Sequence, residues 1–177
     1  MIELNHGCVS AGYVVRESDR ENIDVDKMKE LGFAPGAWLK TIKDASTPAD
    51  QLVKVGDQEL AVGKLREQLV TKTTGQSFAY LTDFRAVDED FDKLVEFIRG
   101  VDTVVCENNY RDTDWELATK HHHLTSSEVG KIAATAGVGK LILFHLSDRY
   151  LGEDWKQQIE EVRNVFAESY WPDEWTI

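Results

Sequence analysis

The alternation of strand and helix patterns from Gly75 onward restricts the fold of this chain more than any other sequence feature. "QSFAYLTD" and "VDTVVCE" each have the short apolar run of a strand. Between them, "VDEDFDKLVEFIRG" is a helix whose apolar face carries Phe91, Leu94, Val95 and Ile98. Strand, helix and strand in this order predict a βαβ unit.

A second helix and a third strand continue this pattern. Thr125 stands three residues before Glu128, which is the spacing of a capping box at a helix start. "KLILFHL" predicts the next strand, and the last helix carries apolar residues at helical spacing, namely Trp155, Ile159, Val162 and Phe166. We therefore expect an α/β fold with helices on one face of a sheet and "YWPDEWTI" as an extended tail.

The first third of the chain is less regular. "VSAGYVVR" is a strand, the polar stretch 17–24 has no apolar period and is expected to be a loop, and a short helix ends at Gly32. Residues 51–73 contain "QLVKV" and "ELAVGKL", which suit two small strands. We expect a single domain over 1–177 with a possible arm insertion at 17–74.

Charge and cysteine content exclude several classes of protein. A formal net charge of -12 and a pI near 4.8 leave no broad basic surface for nucleic acid, so any such contact must be local. The cysteines are Cys8 and Cys106, which exclude a disulfide framework and a zinc knuckle. Without an apparent signal peptide or an apolar run of membrane-spanning length, the composition predicts a cytoplasmic protein.

Polar side chains interrupt or end three of the predicted strands. Asp83 follows "FAYLT", Glu107 follows "DTVVC", and His145 follows "KLILF". Polar groups at strand ends can converge, and imidazole and carboxylate are the usual ligands of catalytic zinc or manganese. His6 and the triplet 121–123 are further candidates, although a single strand-end histidine is more often an ordinary polar group.

Several motifs in a fixed order resemble those of a known family. They are "HGCVSAGYVVRE", "DVDKMKELGFAPGAWLKTIK", "AYLTDFR" and "HLTSSEVGKIAATAGVGKLILFHLSDRY". From His6 to the C-terminus, the chain resembles the second half of the metallo-β-lactamase superfamily, specifically the tRNA 3′-processing endonucleases of the ribonuclease Z group. The resemblance implies half of an αββα sandwich, with one mixed sheet and helices on one face.

The resemblance also implies a two-ion metal site. His6 and His145 would each bind one Zn²⁺ or Mn²⁺, and Asp83 would bridge the two ions. His123 would not be a ligand; it aligns with the family's histidine beside the scissile phosphate, a proton donor or transition-state stabiliser. His121 and His122 have no counterpart in the family.

Arg149 and Glu107 each have two alternative interpretations. Arg149 belongs to the final motif and is assigned either a positioning or phosphate-binding role or a buried structural ion pair. Glu107 lies where relatives often have a His-Glu pair, with Cys106 in place of the histidine. It is either a residue that supports the site or a simple strand-end carboxylate.

The family's HxHxDH signature does not occur in this sequence. Three ligands remain of a site that normally uses seven, so we expect metal binding by this chain alone to be weak or absent. Half of the fold would also leave an apolar sheet face in water. We expect a second copy of the chain, a separate N-terminal-half chain, or the tail and the arm to cover that face.

These features lead to two hypotheses for function. The first is a metal-dependent phosphodiesterase that needs an HxHxDH-bearing half, with either precursor tRNA or a small phosphodiester as substrate. The second is a non-catalytic half-domain of the same descent that dimerises and acts by binding.

Overall fold

A computed structural model describes residues 1–172 of the chain. In chain order, the elements are β1 (Ile2–Asn5), β2 (Val9–Arg16), β3 (Arg20–Ile23), α1 (Val25–Glu30), α2 (Trp38–Lys43), β4 (Leu52–Val55), β5 (Gln58–Ala61), α3 (Val62–Leu69), β6 (Val70–Thr73), β7 (Ser77–Leu81), α4 (Glu89–Phe97), β8 (Thr103–Glu107), α5 (Trp115–Lys120), α6 (Ser126–Ala136), β9 (Lys140–Phe144), α7 (Glu153–Arg163) and β10 (Ser169–Tyr170).

The chain divides into two compact units, of which one is formed by 1–16 together with the described residues from 76 onward. This unit contains a six-stranded sheet in the order β1-β2-β7-β8-β9-β10. Strands β7 to β10 are parallel, whereas β1 and β2 are antiparallel to their neighbours. The predicted α/β fold with a mixed sheet is confirmed.

One face of this sheet is covered by helices. Alternate residues of β7, including Ala79 and Leu81, point into the core, as do Leu141 and Leu143 of β9. The helices add apolar stripes that repeat at helical spacing, as the sequence predicted, namely Leu94 and Val95 of α4 with Ile98 at its C-terminal cap, Val129, Ile132 and Ala133 of α6, and Ile159 and Val162 of α7. The capping box predicted at Thr125 and Glu128 opens α6.

The other face of the sheet carries a continuous apolar row in contact with solvent. The strand register aligns one residue from each of five neighbouring strands, namely Tyr13, Tyr80, Val105, Ile142 and Tyr170. Tyr13 is 51% exposed and the adjacent Val15 is 62% exposed. Val105 and Ile142 are partly exposed, and the expected covering of this face by a partner, the tail or the arm stays a prediction.

The second unit, 17–75, has its own small core of Met28, Trp38, Ile42, Val55, Val62, Leu65 and Leu69. Two sequence predictions were wrong here. The expected loop at 17–24 contains β3, which forms because it pairs with β6 some fifty residues later, a contact that leaves no local apolar period. Most of "AVGKL" belongs to α3, whose buried residues recur every three or four positions as in an amphipathic helix.

The end of the described chain is partly extended. Ser169 and Tyr170 pair with β9, while 173–177 of the predicted tail lie outside the described residues. Within residues 1–172, no helix combines the length and the apolar character that crossing a membrane requires. The single domain with a possible arm at 17–74 stays a prediction.

The two sheet faces should respond differently to the same kind of truncation. Leu141→Ala removes a side chain that is 1% exposed and should lower the free energy of unfolding by about 2–5 kcal/mol. Val15→Ala, on the exposed face, should change it by less than about 1 kcal/mol. Urea denaturation measures both, and equal losses would contradict the assignment of the faces.

Candidate metal centre

Three parallel strands bring their polar ends to the same edge of the sheet. Glu107 is the last residue of β8, His145 directly follows β9, and Asp83 lies two residues after β7. The register pairs Glu107 with Phe144, so the ends of β8 and β9 are level. The sheet therefore positions the three groups that the sequence singled out at strand ends.

Asp83 and His145 lie against each other with strained backbones. Their φ angles are 41° and 56°, in the left-handed region that non-glycine residues seldom adopt. His145 Nδ1 lies 2.6 Å from Asp83 Oδ1, yet this buried nitrogen has no hydrogen-bond partner of suitable geometry in the described chain. The ends of β7 and β9 thus bring a carboxylate oxygen and an imidazole nitrogen close together.

Glu107 and His123 form a buried pair beside them. Glu107 is fully buried, and its Oε2 lies 2.6 Å from His123 Nδ1. The other oxygen, Oε1, accepts the Phe84 backbone N–H at 2.5 Å. With Nδ1 facing a carboxylate, the pair fixes the orientation of the ring and leaves Nε2 as its free nitrogen.

The donor atoms of Asp83, His123 and His145 all lie within 4.8 Å of one another. One carboxylate oxygen and two imidazole nitrogens suit a divalent transition metal, and the unpartnered His145 Nδ1 is accounted for if an ion binds between them. These residues therefore fit a metal site. The geometry adds His123 to the possible ligands, so its assignment as a non-ligand stays a prediction.

His6 reaches the same place from the turn between β1 and β2. Its ring centroid lies 4.6 Å from that of His123, and its Nδ1 lies 3.0 Å from the backbone oxygen of His122. His122 itself has a φ of 57°, in the left-handed region that non-glycine residues seldom adopt. A residue without a family counterpart thus supports a predicted ligand through its main chain.

The remaining predicted residues surround this group. Arg149 is exposed, and its guanidinium carbon lies 5.3 Å from the centre of the Tyr110 ring. Its Nε donates to the Ser147 hydroxyl oxygen at 3.3 Å, and its two alternative roles stay predictions. His121 is exposed and stacks on the Tyr110 ring, with 6.4 Å between the two ring centroids.

Cys106, next to Glu107, is buried on the core side of the sheet. Burial, reinforced by the neighbouring Glu107 carboxylate, raises the pKa of its thiol well above the usual value. The thiol therefore stays protonated at neutral pH and is unsuited to bind metal.

Sequence patterns did not identify two other contributors. Asn109 donates from Nδ2 to the His145 carbonyl oxygen at 3.1 Å, and the Phe84 N–H anchors Glu107. Both interactions involve backbone groups of loops, whose positions a sequence pattern does not give. The pair "NN" directly after a predicted strand was the available hint for Asn109.

Several known proteins are similar to this chain in sequence. A ribonuclease Z of Deinococcus radiodurans is 32% identical over 174 residues, which are 98% of this chain and 51% of that protein. The ribonuclease Z of Oceanobacillus iheyensis is 28% identical over 177 residues, covering 99% of this chain and 54% of that protein. The chain thus spans about half the length of the curated relatives it matches.

Among solved structures, the metallo-β-lactamase fold protein YhfI from Bacillus subtilis matches with a TM-score of 0.44 and 22% identity, over 76% of this chain and 58% of that one. A family model described as a beta-lactamase superfamily domain matches residues 57–146, half of the chain. Membership implies metal binding, in agreement with the donor set at the sheet edge. The chain belongs to the metallo-β-lactamase superfamily.

Proposed function

We propose that this chain is the metal-binding and proton-donating half of a hydrolase of ribonuclease Z type that cleaves phosphodiester bonds. The observation that carries the proposal is the convergence of Asp83, His123 and His145 within 4.8 Å at the end of three parallel strands. The ribonuclease Z relatives, which match nearly the whole chain, support the choice of RNA as the substrate class.

Different residues of the chain are proposed to bind the metal ions and to donate a proton. Asp83 and His145, with His6 nearby, are proposed to hold the ions, of which zinc and manganese suit the donors. A divalent cation bound there would supply Lewis-acid polarisation of a phosphoryl oxygen. His123, oriented by Glu107, is proposed to give a proton to the leaving oxygen, since a carboxylate behind an imidazole fixes the ring for proton transfer.

Arg149 is proposed to bind a phosphate group of the substrate. It is exposed beside Tyr110, whose ring lies 5.8 Å from that of His123. In a chain with a net charge of -12, an arginine without an acidic partner beside the site gives a local attraction for phosphate.

The site is proposed to be completed by an N-terminal half that covers the exposed sheet face and brings the HxHxDH ligands. The apolar row from Tyr13 to Tyr170 supports this covering partner, because a wet apolar face of this extent is costly. The unit at 17–75 is proposed to be the arm insertion. A homodimer that acts by binding is the rival function, since the same row suits a twofold contact.

Metal binding should depend on the strand-end residues. The isolated chain should bind Zn²⁺ weakly in isothermal titration calorimetry, and Asp83→Asn or His145→Gln should each lower the association constant at least about tenfold. His121→Gln, an exposed histidine outside the donor group, is the matched control and should retain wild-type affinity. Equal affinity of all four proteins would remove the metal assignment.

The apolar row should cause association when its covering half is absent. Sedimentation velocity of the isolated chain at roughly tens of micromolar should show a dimer, the simplest symmetric assembly. Tyr80→Lys, in the middle of the row, should give a monomer. Trp115→Lys removes an aromatic of α5 that is more exposed than Tyr80 and lies outside the row, and it should leave the dimer intact. A compact wild-type monomer with no apolar surface accessible to dye would contradict the prediction.

His123 should act in the transition state. In an enzyme restored with its N-terminal half, His123→Ala should lower turnover of an RNA substrate by roughly 10²- to 10⁴-fold, the range for a positioned general acid. His121→Ala should change turnover only several-fold or less, and metal content should stay constant in both variants. Loss of metal together with the imidazole would make His123 a ligand, and full turnover without it would exclude the proposed role.

A further inference from the structure

Arg85 is a largely buried cation two residues after Asp83 that the proposed chemistry does not use. Its side chain is 16% exposed. Nη1 donates to the His123 carbonyl oxygen at 2.8 Å, and Nη1 and Nη2 donate to the two carboxylate oxygens of Glu128 at 3.2 and 2.9 Å. Because a bidentate pair fixes the plane of the guanidinium, the contact to His123 has a defined direction.

Glu128, the partner of Arg85, is itself anchored at the start of α6. Its Oε2 accepts the Thr125 backbone N–H at 2.9 Å as part of the capping box. The ion pair therefore contacts the main chain at His123 through Arg85 and at Thr125 through Glu128. The short segment that carries the His123 ring into the site is held at both ends by one ion pair.

The loop after β7, which carries Arg85, also helps to hold the His123 ring. Glu107 contacts Nδ1 of the ring, and its other oxygen accepts the N–H of Phe84, the residue before Arg85. The Arg85 backbone N–H in turn donates to the Asn5 carbonyl oxygen at 2.7 Å, directly before His6. Residues 83–85 thus link the strand end at Asp83 to the segments that carry His123 and His6.

We propose that Arg85 is a positioning residue for His123, which fixes the main chain of that histidine as Glu107 fixes its ring. The consequence for catalysis rests on the function proposed above, whereas the consequence for the ring does not. Without the guanidinium, the His123 carbonyl oxygen loses its hydrogen-bond donor. The ring should then move more, so that the hydrogen bond between its Nδ1–H and Glu107 breaks more often.

Arg111 provides a matched control within the same unit. Its side chain is 17% exposed, and it pairs with two carboxylates, those of Asp154 and Glu161, each at 2.9 Å. Its guanidinium contacts neither His123 nor a predicted metal ligand in the described chain. The two arginines are therefore similar in burial and ion pairing and differ in the contact with the site.

The test compares Arg85→Gln and Arg111→Gln in the metal-free full chain. Both variants should lower the Tm, because each breaks a largely buried ion pair. NMR of the imidazole ¹⁵N–¹H groups should show that solvent exchange of the His123 Nδ1–H is about tenfold faster in Arg85→Gln alone. Tenfold is the lower end of the change in affinity or activity that follows when a residue that orients a site histidine is replaced. Arg85→Lys, which keeps one charged donor, should restore part of the protection.

Equal exchange rates in wild type, Arg85→Gln and Arg111→Gln would overturn the proposal and leave Arg85 with a structural role. If the glutamine variants do not fold, Arg85→Lys is compared with Arg111→Lys by the same measurement, and equal rates again overturn it. In the restored enzyme, Arg85→Gln should lower kcat about tenfold at unchanged KM. Failure of the wild-type enzyme to turn over RNA would contradict the proposed function, while the exchange comparison still decides the role of Arg85.

Discussion

The buried carboxylate of Glu107 is the interaction on which the geometry of the site depends. A fully buried carboxylate is costly unless it is hydrogen-bonded, and Glu107 meets this requirement with one group from each of two loops, the Phe84 N–H and the His123 ring. Loss of either partner would leave the carboxylate poorly compensated, so both loops are held in place. Since Glu107 ends β8, the sheet determines where Asp83 and His123 lie relative to His145.

The organisation of the sheet explains why one face forms the core while the other is suited to bind a partner. On the helical face, strand residues and the stripes of α4, α6 and α7 form one core. On the other face, side chains of similar chemistry, such as Tyr80 and Val15, stay exposed. In our proposal, one covering half accounts both for this apolar row and for the small number of metal ligands, because the same segment would supply the cover and the HxHxDH residues.

Regular apolar periods made most of the larger unit predictable from the sequence. The stripe at Leu94 and Ile98 and the capping box at Thr125 are local signals, and the structure has the helices that they predict. β3 was not predicted because its stability comes from pairing with β6, and a local sequence pattern contains no information on that pairing. For the site, residue types at strand ends identified Asp83, Glu107 and His145, whereas the Glu107–His123 contact depends on loop paths that a sequence does not specify.

Strained backbone conformations mark the positions at which the rest of the structure forces the site loops into an unfavourable conformation. Within the described chain, the non-glycine residues with positive φ are Asp83, Asp88, His122 and His145, and all but Asp88 lie at the site. Such conformations cost of order 1–3 kcal/mol each and persist only where the surroundings enforce them. Glycine would relieve the strain at these positions but would remove the Asp83 carboxylate or the His145 imidazole. The presence of chemically capable side chains where backbone preference favours glycine indicates that the site's chemistry, and not the stability of its loops, determines these residues.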